Sequence, residues 1–204
     1  MFYEPDKNNH GLKYNPFKQL VVPRPIGWIS TLNENGVPNL APYSFFNAVA
    51  ENPPAVAFCT GMRPKSPELK DSQRNAEKTG EFVVNLATYA LREQMNRSSA
   101  GLPHGVNEFE TAGLETLPSR LVKPPRVKGT PVHLECRYLK TVEVPCSDPT
   151  RGNFVVFGQV VGVHIDDTLL VDGRVDIARA KPIARLGYMD YTWIEQVFTL
   201  NRPD

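Results

Sequence analysis

The run 153–166, NFVVFGQVVGVHID, constrains the fold more than any other part of the chain. Apolar residues dominate both alternating sets, with Phe154, Val156 and Val160 in one and Val155, Phe157, Val161, Val163 and Ile165 in the other. A strand apolar on both faces is expected to be buried on two sides, in a barrel wall or at a subunit contact. A second long β-rich run, 131–144, precedes it. Shorter strand candidates fall at 26–32, 37–42, 55–59 and 82–86, each ended by turn residues or prolines. The pattern predicts a helix from Asp71 or Ser72 to Thr79, stopped by Gly80, and another over 90–98. Residues 1–16 read as an irregular arm, 17–22 as a short turn or strand, and 101–130 mostly as loop. Many strands with two or three helices predict a mainly β fold, a closed barrel with peripheral helices. There is no βαβ alternation and no G-x-G-x-x-G, which argues against a Rossmann domain.

The 204 residues suit a single domain, 1–204, with residues 1–20 as its N-terminal arm. A net charge of +1 gives no electrostatic footprint for nucleic acid or an anionic membrane. No apolar run reaches the length of a membrane helix, about 20 residues. The polar N-terminus does not read as a signal peptide. Cys59, Cys136 and Cys146 are odd in number and lack motif spacing, which favours reduced thiols and a cytoplasmic setting. No histidine pair has metal-motif spacing, and there is no nucleophile elbow, Walker loop or C-x-x-C.

The chemistry concentrates in 24–58, RPIGWISTLNENGVPNLAPYSFFNAVAENPPAVAF. A strand ends in Ser30-Thr31, a turn carries Asn35-Gly36, and a second strand leads to Ser44, Phe45, Phe46 and Asn47 before Pro53-Pro54. Hydroxyl, amide and aromatic groups side by side suit a flat, polar-edged ligand bearing a phosphate. Ser30 and Thr31 read equally as residues bonding local backbone. Lys70-Asp71-Ser72 opens a helix whose free N–H groups favour a phosphate, or Asp71 simply caps it. Arg24 reads as a phosphate clamp or a structural ion-pair partner. His104, in GLPHGVNEF, is a weak catalytic candidate beside the plainer reading of a surface histidine.

These segments resemble the flavin reductase-like, FMN-binding split-barrel family. The resemblance rests on RPIGWIST, the NLAPYSFF loop before Pro-Pro, KDSQRN at 70–75, EFVVNL at 81–86, NEFETAGLE, PVHLECRY, FGQVVGVHID and PIARLGYMDYT, in that order over 21–192. It implies flavin-ring and ribityl contacts from Ser30, Thr31, Ser44, Phe45 and Asn47. It also implies phosphate and ribityl contacts near Lys70, Asp71 and Ser72. Tyr188 and Tyr191, with Arg185, would lie near the flavin or a dimer contact. The implied protein is a homodimeric FMN-binding oxidoreductase, with FMN favoured over FAD. It would be an NAD(P)H-dependent flavin reductase, with or without a partner monooxygenase, or an electron-transfer component. A flavin-binding carrier or sensor without turnover is the alternative, followed by a pyridoxamine-phosphate oxidase-like enzyme and a plain β-barrel interaction domain.

Overall fold

The computed structural model describes residues 1–203 apart from 64, 65 and 149. The chain runs α1 (Phe17–Leu20), β1 (Arg24–Pro25), β2 (Gly27–Leu32), β3 (Pro38–Tyr43), β4 (Phe46–Glu51) and β5 (Pro54–Thr60). It continues through α2 (Asp71–Thr79), β6 (Glu81–Leu86), α3 (Arg92–Arg97), α4 (Glu108–Ala112), β7 (Thr116–Leu117), β8 (Arg126–Val127), β9 (Val132–Val144) and β10 (Asn153–Ile165). It closes with β11 (Leu170–Val171), β12 (Arg174–Val175), β13 (Ile183–Gly187) and β14 (Asp190–Trp193). Seven strands form one antiparallel sheet in the order β3-β2-β6-β9-β10-β5-β4. A smaller sheet, β1-β13-β14, lies beside it.

Two apolar clusters sit on opposite sides of β2. Ile29 points inward to Phe58, Phe82, Val84, Val156 and Val160. Trp28 points outward to Met95, Phe109, Val127 and Ile183, under α3 and α4. Burying Phe58, Phe82 and Trp28 contributes roughly 2–3 kcal/mol each before the entropy of ordering them is subtracted. Helix α2 packs against β2, β3, β6 and β9 and buries a polar face of Ser72, Gln73 and Asn75. Gly80 ends it in the left-handed conformation, φ 76°, as expected.

Several boundaries differ from the sequence reading. The β2–β3 connection is a loop over 33–37 organised by Asn33, whose Oδ1 accepts from the backbone N–H of Asn35 and Val37, 2.9 Å each. Residues 17–20 are helical rather than a turn or strand. Phe46–Glu51 is a strand that the pattern passed over, because as an edge strand it exposes Asn47 to Glu51 on both faces and shows no alternation. β10 is buried on its inner face only, and Val163 is 56% exposed on the outer one. No helix among the described residues is long and apolar enough to cross a membrane.

Candidate functional site

β3 and β4, the two edges of the large sheet, are joined by Ser44 and Phe45 alone. Over this link lies a cavity of about 480 Å³. Ser44, Phe45, Phe46 and Asn47 form one side, Phe157, Val155 and Cys59 the floor, and Phe17, Lys18 and Arg24 the other wall. Phe46 keeps its place because residue 27 is glycine: a Cβ there would fall 2.5 Å from the ring carbon Cδ2. Phe45 remains 40% exposed, with the Arg24 guanidinium 5.4 Å from its ring centroid. The slot is therefore a nearly apolar trough with two cations on one rim.

Arg24 is the electrostatic centre of that rim. It donates to the carbonyls of Lys18 and Val21, which ties α1 to the small sheet. Its register partner across β1 and β13 is Arg185, and no carboxylate faces it among the described salt bridges. Burial and then Arg185 lower its pKa. Its buried Nε has no hydrogen-bond partner among the described residues. Like charges opposed across strands, with no carboxylate between them, make this rim favourable for an anion. Lys70 starts α2 with its Nζ 5.7 Å from the Tyr43 ring centroid, and burial and then Lys18 hold its pKa low. Tyr43 itself is pushed up to about 12 by burial, so it is a neutral phenol.

Apart from Lys70, which packs on Tyr43 and does not line the slot, the site residues singled out from the sequence divide into three groups. Arg24, Ser44, Phe45 and Asn47 come together on the slot. Ser30, Thr31 and Ser72 are buried, and their hydroxyls already have internal partners. Ser30 donates to the Pro125 carbonyl at 2.5 Å, Ser72 donates to Asn39 Oδ1 at 2.9 Å, and Thr31 accepts from Asn75 Nδ2 at 3.1 Å. Asn39 passes that network on to the buried Glu108, 2.8 Å away, whose pKa burial raises.

The third group is a cluster of charges beside α2. Asp71 Oδ1 lies 2.6 Å from Arg74 and 2.5 Å from His104 Nδ1, while His104 Nε2 lies 2.8 Å from Glu68. Arg63, 3.6 Å from Asp71, also reaches the Leu102 carbonyl. This cluster fastens the loop around His104 to the start of α2, and His104 does not line the slot. Lys18, Cys59, Val155 and Phe157 do line it, and nothing local in their sequence singles them out. The Cys59 thiol is pushed up by burial, so it presents a neutral wall. No group of three or more potential metal ligands occurs among the described residues.

The family model of the flavin reductase like domain matches residues 19–180. The chain is 40% identical over 169 residues to a protein of Aquifex aeolicus, spanning 82% of this chain and 83% of that one. Among solved structures, nitrilotriacetate monooxygenase component B from Bacillus cereus superimposes with a TM-score of 0.89 at 30% identity, over 98% of each chain. The 2-nitrobenzoate 2-nitroreductase of Pseudomonas fluorescens follows with a TM-score of 0.85 at 26% identity, over 100% of this chain and 96% of that one. With an antiparallel barrel split at one seam and a cation-rimmed apolar slot over the seam, the chain belongs to the flavin reductase-like, split-barrel family.

Proposed function

We propose that the protein is an FMN-binding oxidoreductase that accepts a hydride from NAD(P)H. The two cations Lys18 and Arg24 on the wall of an otherwise apolar trough are the observation that carries this reading. A flat aromatic ring system with a phosphate tail fits such a trough, its ring against Phe45, Phe46 and Phe157 and its anionic part toward Lys18 and Arg24. FMN, when bound, supplies the redox chemistry. The protein's task is then to hold and orient. Ser44 and Asn47 offer polar groups at the edge of the slot, while Phe45, Phe46, Val155 and Phe157 exclude water from its floor. Lys70 adds positive charge near Lys18. Asp71 and His104 act from behind as positioning residues, fixing the loop over 101–107.

The similarity to a monooxygenase component B supports an electron-supplying role, with reduced flavin or electrons passed to a partner monooxygenase. A homodimer in the cytoplasm is the expected form, since the exposed outer face of β10 and Phe45 offer apolar surface for a second copy. The test is a visible spectrum of the purified protein from about 300 to 600 nm, followed by anaerobic addition of NADH and then NADPH. Two flavin bands that bleach establish the reductase and name its donor. Bands that persist leave a flavin carrier, and absence of bands after soaking with FMN removes the flavin reading.

A further inference from the structure

A second cavity, of about 350 Å³, opens between α3 and the β13–β14 hairpin. Tyr89, Arg92, Arg185, Tyr191 and Trp193 line it, and Glu93 is the one acidic residue among its described lining. Its construction is regular. The Arg92 guanidinium lies 4.1 Å from the Tyr89 ring centroid, and Arg185 lies 4.4 Å from that of Tyr191. Tyr89 in turn packs on Trp193, with centroids 4.7 Å apart. Each guanidinium therefore has one face against an aromatic ring, with the N–H edge of Arg92 largely available and that of Arg185 partly so.

Arg92 keeps most of its edge donors uncommitted, whereas Arg185 keeps only part of them. Of the five N–H groups on an arginine, Arg92 uses one on the Tyr89 carbonyl, and Arg185 donates to Tyr188 and Tyr191 oxygens with a long contact to Met189. Glu93 reaches Arg92 only at 3.6 Å, with 69% of its side chain exposed, so it neutralises little. Arg185 has no carboxylate partner among the described salt bridges, and it stands opposite Arg24 across the strand pair. Two arginines stacked on aromatic rings, facing one small cavity with positive charge in excess, match a ligand that is both flat and anionic.

We infer that this cavity binds a small aromatic carboxylate, its ring among Tyr89, Tyr191 and Trp193 and its carboxylate on the edges of Arg92 and Arg185. The volume lies near the lower limit for ligand pockets, about 300 Å³, which favours a single ring over a dinucleotide. The site shares no lining residue with the slot, so benzoate binding and flavin binding are read by separate titrations.

Calorimetric titration of the purified protein, with the flavin it carries, uses benzoate, benzamide and inorganic phosphate as probes. Trp193 emission provides a parallel readout, because Trp28 is fully buried and W193F supplies the control. The expected result is saturable benzoate binding, at least tenfold weaker for benzamide and for phosphate. It should weaken at least tenfold in R92Q and in R185Q, and partly return in R185K. R92Q replaces a surface side chain and tests the idea even if R185Q fails to fold. Equal affinity for benzamide, preference for phosphate, binding unchanged in R92Q, or no saturable binding would each overturn the assignment. So would a dependence on Arg92 and Arg185 seen for NADPH but not for benzoate.

Discussion

Arg24 and Ser30 both read as ligand contacts in the sequence, and the structure gives them different surroundings. Arg24 lines the slot with Nε unpartnered, whereas Ser30 donates inward to Pro125 and accepts from Asn85. Substitution should therefore separate binding from folding. R24Q is expected to raise the FMN dissociation constant about tenfold, the equivalent of one charge-assisted hydrogen bond, about 1.4 kcal/mol. S30A should leave that constant within about twofold but cost about 1 kcal/mol of stability through the lost buried hydrogen bonds. Flavin fluorescence titration and urea unfolding measure the two effects independently. The sequence could not make this distinction, because β2 is buried on both faces, so period-two alternation does not tell which way a hydroxyl points.

At the scale of elements, the backbone N–H groups of residues 120–122 converge on a single side chain from β9. The fully buried Glu135 accepts from the backbone N–H of Arg120 at 2.7 Å, Leu121 at 2.6 Å and Val122 at 3.2 Å, and lies 2.5 Å from His164. Burial alone would raise the Glu135 pKa, but these partners outweigh it and the net shift is downward. E135Q removes the charge and one acceptor oxygen. Amide hydrogen exchange at residues 120–122 should then accelerate at least tenfold, while β6 and β9 amides keep their protection. Elements with strong local punctuation were legible: α2 between Lys70 and Gly80, and the long β9 and β10. β4 and β14 were not outlined, since exposed edge strands lack the alternation that burial imposes, and β13, between β1 and β14, is buried or half-buried along its whole length and shows none either. The candidate site was half legible for the same reason. Ser44, Phe45 and Asn47 are neighbours in sequence, whereas Lys18, Cys59 and Phe157 meet them only once the sheet has formed.

For the molecule as a whole, the near-neutral net charge conceals a strong local imbalance, with Lys18, Lys70, Arg24 and Arg185 gathered around the small sheet. Acid sensitivity should come from elsewhere. Burial, then Arg126 and His164, push the buried His133 down to about 4 from an ordinary 6.5. The unfolded chain thus binds this proton more readily, and the associated stability is complete above about pH 6.5 and lost as the pH falls toward 4. The ceiling for a shift of that size is about 3 kcal/mol. The lowered Glu135 adds a further loss below its unfolded value of 4.5. Melting temperatures measured from pH 7 to pH 4 should fall, and in H133Q the slope between pH 6.5 and 4.5 should flatten. The Ser44-Phe45 link has a mechanical meaning as well. It is the clasp of the barrel, two residues long, where the outermost strands of the sheet are joined by covalent chain instead of a ladder. A guest lying across a clasp couples its own departure to the fraying of both outer strands, so occupancy and the breathing of the barrel's seam should rise and fall together.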